Sequence, residues 1–151
     1  MSLKQQIDSD LKQAMLAGDK TLTTTLRGLK SSILYAEVSA GKRDKGLADP
    51  EIMDILTKES KKRQESADLY KQGGNDESAA AELAEKEVIA RYLPAQLTDD
   101  ELQQMIDQAV TETGASGMQD MGKVIAVVKK TAGASADGAR IAQLTKEKLA
   151  A

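Results

Sequence analysis

The chain contains no cysteine, histidine, phenylalanine or tryptophan, and only two prolines. Each absence excludes something. Without cysteine there is neither a disulfide framework nor a thiolate metal site, which fits a cytosolic life. Without histidine the commonest general base and a usual transition-metal ligand are gone. Tyr35, Tyr70 and Tyr92 are the only aromatics, so any core must be built from Leu, Ile, Val, Met and Ala, which bury less area per residue.

Long apolar runs are missing too. No stretch approaches the roughly 20 apolar residues that span a bilayer. The first six residues, Met1-Ser2-Leu3-Lys4-Gln5-Gln6, do not form the apolar segment of a signal peptide. The expectation is a cytoplasmic protein with no membrane, metal or cofactor partner. Nor is there an excess of either charge: 21 basic and 24 acidic side chains give −3, divided 15 to 16 before residue 95 and 6 to 8 after it. Bulk attraction to nucleic acid is not expected, and any such binding needs a local patch.

What is present reads as helix throughout. Ala, Leu, Lys, Glu and Gln dominate, and these residues lose little freedom in a helix. Apolar residues recur three or four apart in Leu3, Ile7, Leu11 and Ala14/Met15, and again in Leu22, Leu26, Leu29, Ile33 and Ala36. Gly18-Asp19 separates the two segments. After the charged, glycine-bearing loop from Gly41 to Gly46, Asp49 is expected to cap a third helix with Pro50 at its first position. Ile52, Ile55/Leu56, Glu59, Arg63, Ala67 and Tyr70 then trace one stripe, whose apolar character fades after Leu56. Gly73-Gly74 stops it, Asn75 or Asp76 caps a fourth helix, and Pro94 ends that one.

Thr98-Asp99-Asp100-Glu101 is a capping box, with Leu97 and Leu102 spaced as a hydrophobic staple. It opens a module of shorter helices, predicted from about Leu102 to Gly114, Met118 to Thr131, and Asp137 onward. No strand pattern competes. The expectation is an all-α fold: an N-terminal domain of long helices at residues 1–94 and a small three-helix domain at 95–151.

No residue set assembles a catalytic site. Glu82-x-x-Glu85 lacks the imidazole that a helical-bundle metal site would want. Lys30 next to Ser31-Ser32 is not a nucleophile–base pair, because adjacent helical residues do not face each other. Gly122 lies inside a helical pattern, where it costs about 1 kcal/mol relative to Ala. Close helix packing there is one reading, and approach of a ligand to the backbone is the sharper one. Lys58, Lys61, Lys62 and Arg63 form a basic cluster interleaved with Glu59 and Glu65, to which Arg27 and Lys30 could add two cations. A solvated face with intrahelical ion pairs and a phosphate-contacting patch both fit this pattern.

Leu26-Arg27-Gly28-Leu29-Lys30-Ser31-Ser32-Ile33, Lys61-Lys62-Arg63-Gln64-Glu65-Ser66, Tyr92-Leu93-Pro94-Ala95-Gln96-Leu97, Met121-Gly122-Lys123-Val124 and Ala136-Asp137-Gly138 occur in this order along almost the whole chain. With these stretches the sequence resembles the YqeY family of the GatB/YqeY group. Ile125 stands where a methionine is expected. The resemblance implies an all-helical protein similar to the tail of GatB, a component of the glutamine-dependent aminoacyl-tRNA amidotransferase. That tail is a tRNA-contacting appendage, here without the enzyme body. Gly122 and Lys123 are the residues the resemblance carries over for RNA contact, whereas Lys61, Lys62 and Arg63 belong to the YqeY-type N-terminal part. The partners implied are tRNA, an amidotransferase or an aminoacyl-tRNA synthetase. A protein–protein adaptor without RNA contact is the alternative reading. A carbon–nitrogen ligase or amidase using glutamine is a distant third.

Overall fold

Capping chemistry sets most of the helix boundaries. In the computed structural model, which describes residues 1–151, the chain forms seven α-helices and no strand: α1 (Leu3–Ala17), α2 (Lys20–Ser39), α3 (Asp49–Gln72), α4 (Asp76–Ala90), α5 (Asp99–Thr113), α6 (Met121–Ala132) and α7 (Gly138–Ala150). Ser2 and Gln5 close a capping box on α1. Its far end is sealed by Gly18 at φ 72°, whose N–H donates to Ala14 and Met15. That left-handed geometry is strained for a residue with a Cβ. Asp19 then caps α2 by accepting from Leu22 N at 3.0 Å.

The start of α3 differs from the sequence expectation. Ala48, not Asp49, is the N-cap residue, and Glu51 Oε2 reaches back to accept from Ala48 N at 2.9 Å. Asp49 is released for a longer-range role, its carboxylate accepting from Leu3 N at 3.0 Å. It thereby satisfies a backbone donor at the start of α1 that has no partner within its own helix.

The chain divides into two compact units, Met1–Leu93 and Pro94–Ala151. In the first, Leu3, Ile7 and Leu11 of α1 meet Leu26, Leu29 and Ile33 of α2, and Ile52, Leu56, Val88 and Ile89 complete the core. Beyond Leu56 the α3–α4 pair is packed through polar groups, with Ala67 still fully buried while Leu69 and Tyr70 are exposed. Tyr92 is drawn onto this unit: its phenol donates to Asp10 Oδ2 at 2.5 Å. Burial, and next the Asp10 carboxylate, push the phenol's pKa above its ordinary value.

In the second unit, Leu102, Ile106, Val124, Val128, Ile141 and Leu144 make the core. Thr98 and Glu101 exchange the two hydrogen bonds of the capping box, at 3.2 and 2.8 Å. The segment before α5 is pinned to the α6–α7 connection, with Leu97 N donating to Ser135 O at 2.8 Å. The expected helix from Met118 begins as a single 3₁₀ turn over Met118–Asp120 and becomes α-helical only at Met121.

Candidate functional site

On α3, Lys58, Lys61 and Lys62 of the basic cluster stay exposed while Arg63 leaves it. Arg63 turns inward, and its guanidinium donates to the Glu59 carboxylate and to Glu59 O at 3.3 Å. Its Nε lies 3.9 Å from Glu85 on α4. Glu59, only 9% exposed, also accepts from Lys62 Nζ at 3.2 Å and from Ser32 Oγ on α2 at 3.2 Å. Thr25 Oγ1 donates to Glu85 at 3.3 Å. Gly28 lies beside this layer, where a Cβ would be in ordinary van der Waals contact with the Arg63 guanidinium at 3.7 Å. The result is a hydrogen-bonded polar layer joining α2, α3 and α4.

This layer is suited to holding helices together and unsuited to acid–base chemistry. Burial works to raise the Glu59 pKa, but hydrogen bonds from Arg63 and Lys62 outweigh it and hold the carboxyl below its ordinary value. A carboxylate stabilised in this way is a weak base. Ser32 therefore has no activating partner, and Ser31 faces elsewhere, lining the groove between α1 and α2. Of the four-residue cluster, Lys58, Lys61 and Lys62 point to solvent and Arg63 does not.

Arg27 and Lys30 lie on a different face of α2 from Ser32 and Gly28. Lys30 pairs with Asp8 Oδ1 at 2.7 Å, and Arg27 Nη2 sits 3.9 Å from the Met15 thioether. Both line the α1–α2 groove. They add nothing to the cations of α3.

On α6 the outcome is different. Gly122 is exposed, and a Cβ built on it would meet nothing within 4 Å. The close-packing reading of this glycine is therefore overturned. Lys123 is 74% exposed and holds Asp120 only at 4.0 Å. Ala126, Lys129 and Lys130 share the exposed arc, because residues three, four and seven apart fall on one side of a helix. The helix contains no carboxylate at all. Lys129 and Lys130 are not singled out by the sequence pattern, although three lysines and no acid within the twelve residues of α6 are there to be seen. The end of the Lys129 side chain reaches the start of α7, where a Cβ on Gly138 would lie 3.3 Å from Lys129 Cε.

No group of three or more acidic residues could hold a metal ion. No helix is long and apolar enough to cross a membrane.

The molecule is thus an all-α protein of two helical units with a polar layer inside one and a basic helix face on the other. Residues 4–149 match the YqeY-like protein family, and the chain belongs to that family. Among curated proteins it is similar to "Altered inheritance of mitochondria protein 41, mitochondrial" of Eremothecium gossypii, 37% identical over 59% of this chain and 48% of that protein. The like-named protein of Clavispora lusitaniae is 30% identical over 76% of this chain and 66% of that protein. That of Lachancea thermotolerans is 32% identical over 58% and 46%. The chain thus spans about half to two thirds of the length of these relatives. Their mitochondrial names overturn the cytoplasmic expectation. That expectation rested on the lack of an apolar signal segment, whereas mitochondrial transit peptides are amphipathic and rich in Arg and Ser. An apolar run is the wrong feature to look for.

Proposed function

We propose that this protein is a non-catalytic RNA-binding module, with tRNA or a tRNA-bound amidotransferase or synthetase as its partner. Its setting, following the names of its relatives, is mitochondrial rather than cytoplasmic. The observation that carries the proposal is the outer face of α6, where Gly122 stands open between solvent-facing cations on a helix without an acid. Phosphate oxygens are bound by lysines and by backbone N–H groups at helix N-termini, where the dipole favours negative charge. Lys123 offers the first of these, and Gly122 leaves the backbone of the first turn of α6 uncovered. The resemblance to an amidotransferase tail points to tRNA as the RNA. The ligase reading gains no support, since the one buried serine–carboxylate contact, Ser32–Glu59, involves a carboxylate held charged.

Filter binding of the full chain to tRNA tests this. Each lysine–phosphate contact releases about 0.7–0.9 of a counterion. If Lys123, Lys129 and Lys130 all engage, log K is expected to fall against log salt with a slope of about −2 to −3. Absence of binding at 50 mM salt would end the proposal. Gly122→Ala supplies a separate check. It is expected to raise stability by about 1 kcal/mol, because the space around it is empty and alanine is the better helix former. The same change should weaken tRNA binding about threefold by keeping the phosphate backbone away from the helix. A gain in stability with no loss of affinity would remove Gly122 from the contact.

A further inference from the structure

The groove between α1 and α2 has a volume of about 530 Å³ and an apolar floor of Ile7, Leu11, Ile33 and Leu34. We propose that it docks an amphipathic helix of a partner protein, one that carries a carboxylate at one end of its apolar face. The lining on α2 runs from Arg27 to Glu37, which at 1.5 Å per residue is about 15 Å, or nearly three helical turns. Leu34 is 47% exposed, and Tyr35 and Val38 continue the uncovered apolar surface along α2 at 77% and 55%. Anchors spaced three or four residues apart on an incoming helix match such a surface, as in helix-in-groove recognition generally. Met15, 53% exposed beside Arg27, adds an adaptable contact at the other end.

Charge selects the occupant. Two acids lie in the groove and both are matched within it: Glu37 by Lys4 at 2.7 Å, and Asp8 by Lys30 at 2.7 Å. Arg27 is left facing a thioether, with no carboxylate. The surplus is one positive charge at one end of an otherwise apolar and internally neutral groove. A phosphodiester backbone fits this poorly, because it would have to lie against Asp8 and Glu37 to reach a single arginine. A helix with apolar anchors and one terminal carboxylate satisfies every group present. This groove is formed by α1 and α2, and the proposal does not depend on the RNA reading.

The test uses the full chain and two fluorescein-labelled, helix-stapled 18-residue peptides. Both carry leucine at every third or fourth position, and they differ only in a terminal Glu or Lys. The Glu peptide is expected to bind about fivefold more tightly than the Lys peptide at low salt, the scale of one solvent-flanked ion pair. Arg27→Glu should reverse that order, and Leu34→Asp should weaken both peptides about tenfold. Melting curves of these variants should match the parent's, since Arg27 and Leu34 are exposed. Equal binding of the two peptides, or no binding by either, overturns the proposal. So does binding that Leu34→Asp leaves unchanged. Self-association abolished by Leu34→Asp would assign the groove to a second copy of the chain, and displacement of the peptide by tRNA would assign it to nucleic acid. Either result also overturns it.

Discussion

Arg63→Ala is expected to lower the melting midpoint of the N-terminal unit by about 10–20 °C. Breaking a fully buried ion pair by removing one partner costs about 3–5 kcal/mol, because the other charge is left without compensation. Here the loss is smaller, about 2–3 kcal/mol, since Glu59 keeps Lys62 and Ser32 at 3.2 Å each. For a unit of this size each kcal/mol moves the midpoint by roughly 4–8 °C. Arg63→Lys should recover only part of the loss. A lysine restores the charge but not the planar fork that reaches Glu59 and Glu85 together.

The same variant should change how stability responds to acid. In the parent the Glu59 pKa is held below its ordinary value of 4.5. The folded state therefore gains stability that is fully present above that value and is lost as pH falls through the lower, folded-state one. Without Arg63, burial acts on Glu59 with less opposition and its folded-state pKa rises. Acid unfolding should then begin at a higher pH. Circular dichroism melts of the full chain between pH 7 and pH 3 read both effects, and no residue of the polar layer lies in the C-terminal unit. A midpoint within about 3 °C of the parent would show that the layer contributes little.

Glu59 and Arg63 show where the sequence could and could not be read. The stripe on α3 is legible because its period is that of a helix, and Glu59 and Arg63 fall on it where apolar residues are due. A charged pair on an inward stripe signals a buried polar layer, but one-dimensional spacing cannot say what it faces. Its partners, Ser32 and Glu85, lie 27 and 26 residues away from Glu59 and come together only once α2, α3 and α4 pack. Asp49 carries the same lesson. Its type and place suit a cap, yet its carboxylate serves Leu3, 46 positions earlier. Local signals with local partners, such as Thr98–Glu101 and Asn75–Ser78, can be read directly. Density of charge points to Lys58–Arg63, where carboxylates on α3 and α4 take up Arg63, and away from the sparser lysines of α6, where no acid on the same helix competes.

That contrast sets the sharpest expectation for RNA. Replacing Lys123, Lys129 and Lys130 together by Glu should lower tRNA affinity about a hundredfold at 50 mM salt and flatten the salt slope by about 2–3. Replacing Lys58, Lys61 and Lys62 on α3 by Gln, which sets no acid beside Glu59, is the control. Were any basic surface sufficient, the α3 variant would lose affinity too. If the α6 face makes the contacts, the α3 variant should remain within about threefold of the parent. The α6 variant should fold, because all three lysines are exposed and none belongs to the core of Val124, Val128, Ile141 and Leu144. Two of them do lie in the last turn of the helix, where cations favour its negative end. A loss of about 1 kcal/mol in stability is therefore expected alongside. A triple Lys→Gln variant separates the two effects: it removes the charge without placing acid at that end, and should lose most of the affinity with little change in melting. If the Gln variant binds tRNA like the parent, the basic face of α6 is not the RNA contact.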